Sequence, residues 1–290
     1  MSLAGRLAGL AVVVLVSILA GCASGPNGIA PWESRLRGTT LALLGEVHDN
    51  PRNHAQRAAI LRRAVEAGWR PAIVMEQFDV DRQPDIDRSR TEHPHDAQAL
   101  IDRAAGARSG WDWALYKPLV ELALQFDLPL AAGNLPRSQT MRLVRENADA
   151  VLGAARAAEL GLHRALDTAW QAAQEREIDA GHCGTLPRAL WPGMVRAQSA
   201  RDAVMAQVLK QHADRGAVLI AGNGHVRRDI GVPRWLSTAG MWSVGFVEAD
   251  TAPPGPDQFD AVVVTTGVDR GDPCAPLRKS VPPPKPPDAA

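Results

Sequence analysis

Six short apolar runs divide the chain, and longer stretches with a helical rhythm separate them. The runs fall at 39–44, 72–76 (AIVME), 129–133 (PLAAG), 217–222 (AVLIAG), 242–248 (WSVGFVE) and 261–266 (AVVVTT). Short, nearly continuous apolar runs are the pattern of strands buried on both faces. Strands of that kind separated by helices predict an α/β fold, a largely parallel β-sheet flanked by helices. In NHAQRAAILRRAVEAG (53–68), Ile60, Leu61 and Val65 share one helical face, and Gly68 stands as the stop signal. From about 136 to 215 almost no strand pattern appears, which predicts an inserted helical lobe with its best amphipathic helix in ARDAVMAQVLKQHADRG (200–216).

The two ends of the chain read differently from this body. Arg6 precedes LAGLAVVVLVSILAG, an apolar run too short to span a bilayer comfortably, and the run ends in small residues beside Cys22. That is an export signal. LAGC (19–22) resembles a bacterial lipobox, which implies cleavage before a lipidated Cys22, and Ala23 after it implies outer-membrane retention facing the periplasm. Several acyl chains make such an anchor stable. Residues 23–35 are rich in Gly, Pro and Ser and are expected to be a flexible tether, while PCAPLRKSVPPPKPPDAA (273–290) is expected to be a disordered Pro-rich tail. The folded body is then one domain over 36–272.

Charge narrows the partners. The 290 residues carry 32 Lys+Arg and 32 Asp+Glu, so no basic excess points to nucleic acid. With Cys22 lipidated, two of the three cysteines remain, and an exported protein lives where disulfides persist. Cys183 and Cys274 are either a bridge, tying the end of the body to its middle, or two buried thiols.

The chemistry gathers where the apolar runs stop. TLALLGEVHDN (40–50) turns at Gly45 and at once presents Glu46, His48 and Asp49, groups that are costly to bury without partners. AVLIAGNGHVRRD (217–229) repeats the device, with Gly222 followed three residues later by His225. Glu76 closes a third run, in VMEQFD. A parallel sheet puts all such ends on one edge, so Glu46, His48, Glu76 and His225 are expected in one cluster at the mouth. His48, His225 and Glu76 suit a divalent metal with an open position, and the same groups equally suit a hydrogen-bonded polar cluster. Asp49 and Asn50 precede PRNHAQ and suit a turn or helix start. His93 and His95 in TEHPHD have metal-like spacing, but no apolar strand positions them, so they are expected in a loop.

LLGEVHDNPRNHAQ, VMEQFD, WDWALYKPLVELA, AAGNLPR, GHCGTLP and GNGHVRRDIGVPRWL, in that order over about 40–236, resemble the ChaN-type haem-binding uptake lipoproteins of the Tiki-like superfamily. The resemblance implies an α/β core with a helical subdomain, a cell-envelope address, and a role in binding haem or an iron chelate during iron uptake. Within the superfamily, Tiki proteins are metal-dependent proteases whose paired Gly-x-x-His motifs look similar to those here. A metal-dependent hydrolase is therefore the alternative, with His48, Glu76 and His225 holding the ion and Glu46 acting as general base. For haem, the single tyrosine, Tyr116, is the expected axial ligand, with Trp111 and Trp113 beside it as flat apolar surface. His182 and Arg137 are secondary candidates for a haem propionate or a second ligand. A porphyrin has two broad faces, and leaving one in water forgoes burial worth roughly 25 cal/mol per Å². A ligand-linked homodimer is the expected consequence.

Overall fold

In the computed structural model, which describes residues 32–105, 110–237 and 239–275, all six apolar runs become strands. They are β1 (Leu41–Leu44), β2 (Ala72–Asp79), β3 (Leu130–Asn134), β4 (Ala217–Ile220), β5 (Met241–Glu248) and β6 (Ala261–Thr265). The sheet order is β3-β2-β4-β1-β5-β6, and every neighbouring pair is parallel. All six carboxyl ends therefore lie on one edge. Before β4 the helices are α1 (Trp32–Arg37), α2 (Pro51–Glu66), α3 (Gln83–Glu92), α4 (Ala97–Ala104) and α5 (Trp113–Gln125), then the lobe α6 (Arg137–Leu143), α7 (Ala148–Leu152), α8 (Ala154–Glu159), α9 (Thr168–Gly181) and α10 (Trp191–Gln211). The four-residue α11 (Asn223–Val226) follows β4 directly.

Alternation along the strands builds two cores. Ala42, Leu44, Ile73, Met75, Val218, Ile220, Val244 and Phe246 pack with α2, α4 and α5, while Leu41, Leu43, Val74 and Leu219 pack with Met205, Ala206 and Leu209 of α10. The lobe adds cores of its own. One gathers Leu143, Ala157, Leu160, Ala200 and Val204, and a small one holds Trp170, Ala173 and Ile230. Among the described residues no helix is long and apolar enough to cross a membrane.

The body begins earlier than its composition suggested. Residues 32–35, expected to end the tether, are helical: Trp32 packs on the ring of Trp242 at 5.3 Å, and Glu33 pairs with Arg63 at 2.6 Å. Two contacts to the body outweigh the Pro and Ser around them. The export signal, Cys22 and the rest of the tether lie outside the described residues, as does the tail beyond residue 275. Cys274 is described, and it is joined to Cys183 in a disulfide with the two Cα atoms 5.6 Å apart.

Two local features aim the site. β2 runs three residues past its expected end, and its pairing with β3 slips between Met75 and Asp79, an irregularity of the kind that re-aims side chains next to sites. At the mouth of β1, Asn50 caps α2 by accepting from the amides of Arg52 and Asn53, with Pro51 in the first turn. Asn50 is itself fastened by the far end of the chain, donating to Glu248 (2.5 Å) and to the carbonyl of Thr266 (3.0 Å).

Candidate functional site

β2, β4 and β1 are neighbours, so Glu76, His225 and the Glu46–His48 pair meet at the mouth between them. Gly45 and Gly222 make this possible. A Cβ on Gly45 would collide with Asn223, and one on Gly222 would sit 2.8 Å from Cε1 and Nε2 of His48. The two glycines let the turns after β1 and β4 press together.

The first half of the cluster is built on Glu46, which is buried. Its carboxylate pairs with Arg57, accepts from the Tyr116 hydroxyl at 2.5 Å, and lies 2.8 Å from Nδ1 of His48. Burial raises its pKa, but the Arg57 guanidinium and the His48 hydrogen bond outweigh burial and hold the carboxyl at about 2. His54 accepts from Arg57 through Nδ1 (3.1 Å), so its Nε2 donates to the His48 carbonyl (2.9 Å). Burial and the neighbouring Arg57 lower the pKa of His54, which favours the neutral ring. His48 differs from these buried groups. Its side chain is 48% exposed, its ring lies 4.9 Å from that of the half-buried Trp111, and its Nε2 has no hydrogen-bond partner among the described residues. Desolvation lowers its pKa, whereas the Glu46 hydrogen bond and the Glu76 charge raise it, and the raising effects prevail.

The second half pairs two carboxylates with two cations. Glu76 accepts from Arg201 at 2.6 Å and from the Gly222 amide at 2.8 Å, and His225 Nε2 stands 3.5 Å away. His225 Nδ1 donates to Asp202 at 2.6 Å. Burial and Arg201 pull the pKa of His225 down, but Glu76 and Asp202 together push it up to about 9. Burial pushes Asp202 up and would do the same to Glu76, whose carboxyl is instead held well below its ordinary value by His225 and Arg201.

This geometry bears on three expectations. Among the described residues no group of three His, Cys, Asp or Glu side chains is placed to hold a metal ion, and His48, Glu76 and His225 stand in the hydrogen-bonded polar cluster that is the other arrangement expected of them. The physical reason is that Arg57 and Arg201 already supply the positive charge the carboxylates need. Glu46, expected as general base in the hydrolase alternative, is buried and its carboxylate already pairs with Arg57 and accepts from Tyr116 and Gln77. Tyr116, expected to reach iron, is fully buried against Glu46, and burial together with that carboxylate's charge keeps its hydroxyl protonated well above the ordinary range. Trp111 and Trp113 do stand beside it, at ring distances of 5.6 and 5.9 Å.

The secondary candidates separate. Arg137 starts α6 beyond β3, exposed and outside the cluster. His182 follows α9, donates Nδ1–H to the Ile178 carbonyl at 2.7 Å, and shares with His225 and Asp202 a cavity of about 160 Å³. His93 and His95 lie exposed between α3 and α4, away from the mouth. Sequence reasoning did not single out Arg57, His54, Arg201 or Asp202. Arg57 and Asp202 carried a signal all the same, as charged residues on the apolar faces of α2 and α10.

Gly222 offers a direct test of how His48 is seated. In Gly222→Ala the new methyl displaces the imidazole and lengthens its bond to Glu46. The His48 pKa followed by NMR is then expected to fall back toward its ordinary value; a pKa as high as in the parent protein would mean that Gly222 does not set the ring's position.

Fold and site together define an all-parallel α/β protein that carries a half-exposed imidazole on a buried, arginine-balanced carboxylate cluster at its strand ends. The model of the family described as haem-binding uptake, Tiki superfamily, ChaN matches residues 33–236, and the chain belongs to that family. Among solved structures, ChaN of Campylobacter jejuni, described as showing cofacial haem binding, is 18% identical and superposes with a TM-score of 0.65 over 80% of this chain and 90% of its own. An erythromycin esterase variant in its open conformation is 13% identical, with a TM-score of 0.46 over 80% of this chain and 78% of its own. At that score it bears on neither fold nor chemistry. No curated protein matches the sequence.

Proposed function

We propose that the protein binds haem, or a comparable iron chelate, at the strand-end mouth with His48 as the iron ligand, and that it does so as an outer-membrane-anchored lipoprotein during iron uptake. The observation that carries the reading is the state of His48. It is the accessible imidazole of the cluster, its Nδ1 is bonded to an ionised carboxylate, and its Nε2 has no partner among the described residues. A carboxylate on the far nitrogen fixes the tautomer and strengthens the ring as a donor to metal. Trp111 adds apolar ring surface beside it. When bound, haem would bring its own iron chemistry. The chain's part is to hold the ring in place, and the Arg57–Glu46–Tyr116 set does so from beneath.

The family supports haem as the ligand, and LAGC at 19–22 supports the lipid anchor. Two copies pairing across their ligands would cover the second porphyrin face, in keeping with the cofacial arrangement described for the Campylobacter jejuni protein.

Haemin titration of the chain lacking residues 1–22, followed at the Soret band, tests the reading. Saturable binding is expected, weakened at least about tenfold in His48→Ala, a loss of about 1.4 kcal/mol. In Tyr116→Phe the Soret position should be unchanged. No saturable change in the folded parent protein would sink the haem assignment; a shifted band in Tyr116→Phe with a normal one in His48→Ala would move the ligand to the phenol.

A further inference from the structure

We propose that α9 is a gate beside His225, held shut by the Cys183–Cys274 bridge, and that a dithiol reductant opens it. Gln174, Glu177, Ile178 and His182 form one wall of the cavity of about 160 Å³ whose opposite side carries His225 and Asp202. The two ends of that wall are held unequally. Toward its start α9 is fastened by Trp170 and Ala173 in the satellite core with Ile230, by the Trp170–Trp235 ring contact and by the Asp167–Arg234 pair, and it packs along α10; toward its end Ile178 is the buried apolar residue. The polar ties of α9 to the turn after α11 are two side-chain hydrogen bonds to the Ile230 carbonyl, from Trp170 (3.0 Å) and Gln174 (2.8 Å), and the Glu177–Arg227 pair at 2.5 Å. A helix end with few buried apolar contacts opens locally more readily than the sheet beneath it.

The bridge fastens α9 to the other lip of the mouth. Beyond β6, residues 266–275 run as a strap: Arg270 forks onto Asp49 at 2.6 Å and onto Glu248 at 2.8 Å, and four residues later Cys274 meets Cys183. The cross-link joins positions 91 residues apart, so it removes a large loop from the freedom of both segments. Cys183 sits at φ +56°, the left-handed position of the turn that ends α9, where its own amide donates to the Ala180 carbonyl and the Gly184 amide to the Asp179 carbonyl, so the bridge is attached directly to the helix end. Opening is a thiol–disulfide exchange. A thiolate of the dithiol attacks one sulfur of the bridge, and its second thiol then displaces the other cysteine from the mixed disulfide. The dithiol gives up two electrons and two protons and becomes a disulfide; Cys183 and Cys274 are left as thiols.

Hydrogen exchange followed by mass spectrometry on the full-length chain in detergent, with and without dithiothreitol and with thiols counted by alkylation, tests the gate. In the reduced protein the amides of α9 are expected to exchange about tenfold faster or more, while β1, β2 and β4 keep their protection. Cys274→Ser, which breaks the bridge without reductant, should give the same pattern. Arg270→Ala, which loosens the strap but leaves the bridge, should leave α9 protected. Unchanged α9 exchange with both thiols free would overturn the proposal, as would loss of protection spreading to the three strands, which would make the bridge a support of the whole fold. Loosening of α9 in Arg270→Ala would likewise take the latch away from the disulfide. No haemin is present in these measurements, so their outcome is independent of the haem-binding reading.

Discussion

Arg57→Met should destabilise the protein by about 3–5 kcal/mol, seen as a lower urea midpoint at unchanged slope. Arg57 is fully buried, and its guanidinium neutralises Glu46, donates to His54 and approaches the Gly45 carbonyl at 3.4 Å. Methionine fills similar space but leaves the Glu46 carboxylate buried with only Tyr116, Gln77 and His48 around it. An uncompensated buried charge is what makes breaking one side of such a pair costly. Adding Glu46→Gln to the same chain should therefore recover part of the loss, because the second change removes the orphaned charge. A cost below about 1 kcal/mol for Arg57→Met would show that solvent reaches Glu46 easily, against its burial.

Stability should also fall on the alkaline side, by up to about 3 kcal/mol, as the pH rises from 6.5 through about 9. Glu76 and Asp202 raise the His225 pKa in the folded state above its ordinary value of 6.5. A raised imidazole binds its proton more tightly when folded, so its contribution is complete below pH 6.5 and is lost as the pH climbs through about 9. Glu46 acts in the opposite direction. Its pKa is lowered from 4.5 to about 2, so its contribution is present above 4.5 and is lost on acidification toward 2. Urea midpoints measured across this range should show both arms, and His225→Gln should flatten the alkaline one. An alkaline slope as steep in His225→Gln as in the parent would assign the loss to another group.

Much of the frame was legible because strand burial writes itself into composition. Five of the six runs are strands buried along most of their length, whereas β6 lies at the sheet edge with Val262 and Val264 exposed, and the convergence of Glu46, His48, Glu76 and His225 follows from parallel topology and two glycine turns. The partners of those groups were harder to read. Arg57 lies 11 residues beyond Glu46 and Arg201 lies 125 beyond Glu76, and pairing over such separations is fixed by helix packing, which no local pattern records. Tyr116 misled for a related reason. Trp111 and Trp113 beside a tyrosine look the same in sequence whether the hydroxyl meets a ligand or a buried carboxylate. Residues 32–35 misled because Pro31 and Ser34 suggest a tether, while the contacts of Trp32 and Glu33 that fold the segment lie on distant elements.

The fastening of Asn50 and Asp49 by the far end of the chain has a consequence in time. Asn50 donates to Glu248 and Thr266, Asn53 to Thr265, and Asp49 receives Arg270, partners between 198 and 221 residues later. A polypeptide that emerges amino-terminus first therefore presents the turn that carries His48 with its local bonds alone, from His54 to the His48 carbonyl and from the Val47 amide to Asn53. The outer fastening is added only when the last stretch arrives. Contacts of such separation slow folding, because the intervening loop must be ordered before they reward it. A chain stopped short of β6 would retain the motif of the mouth and lack its clasp.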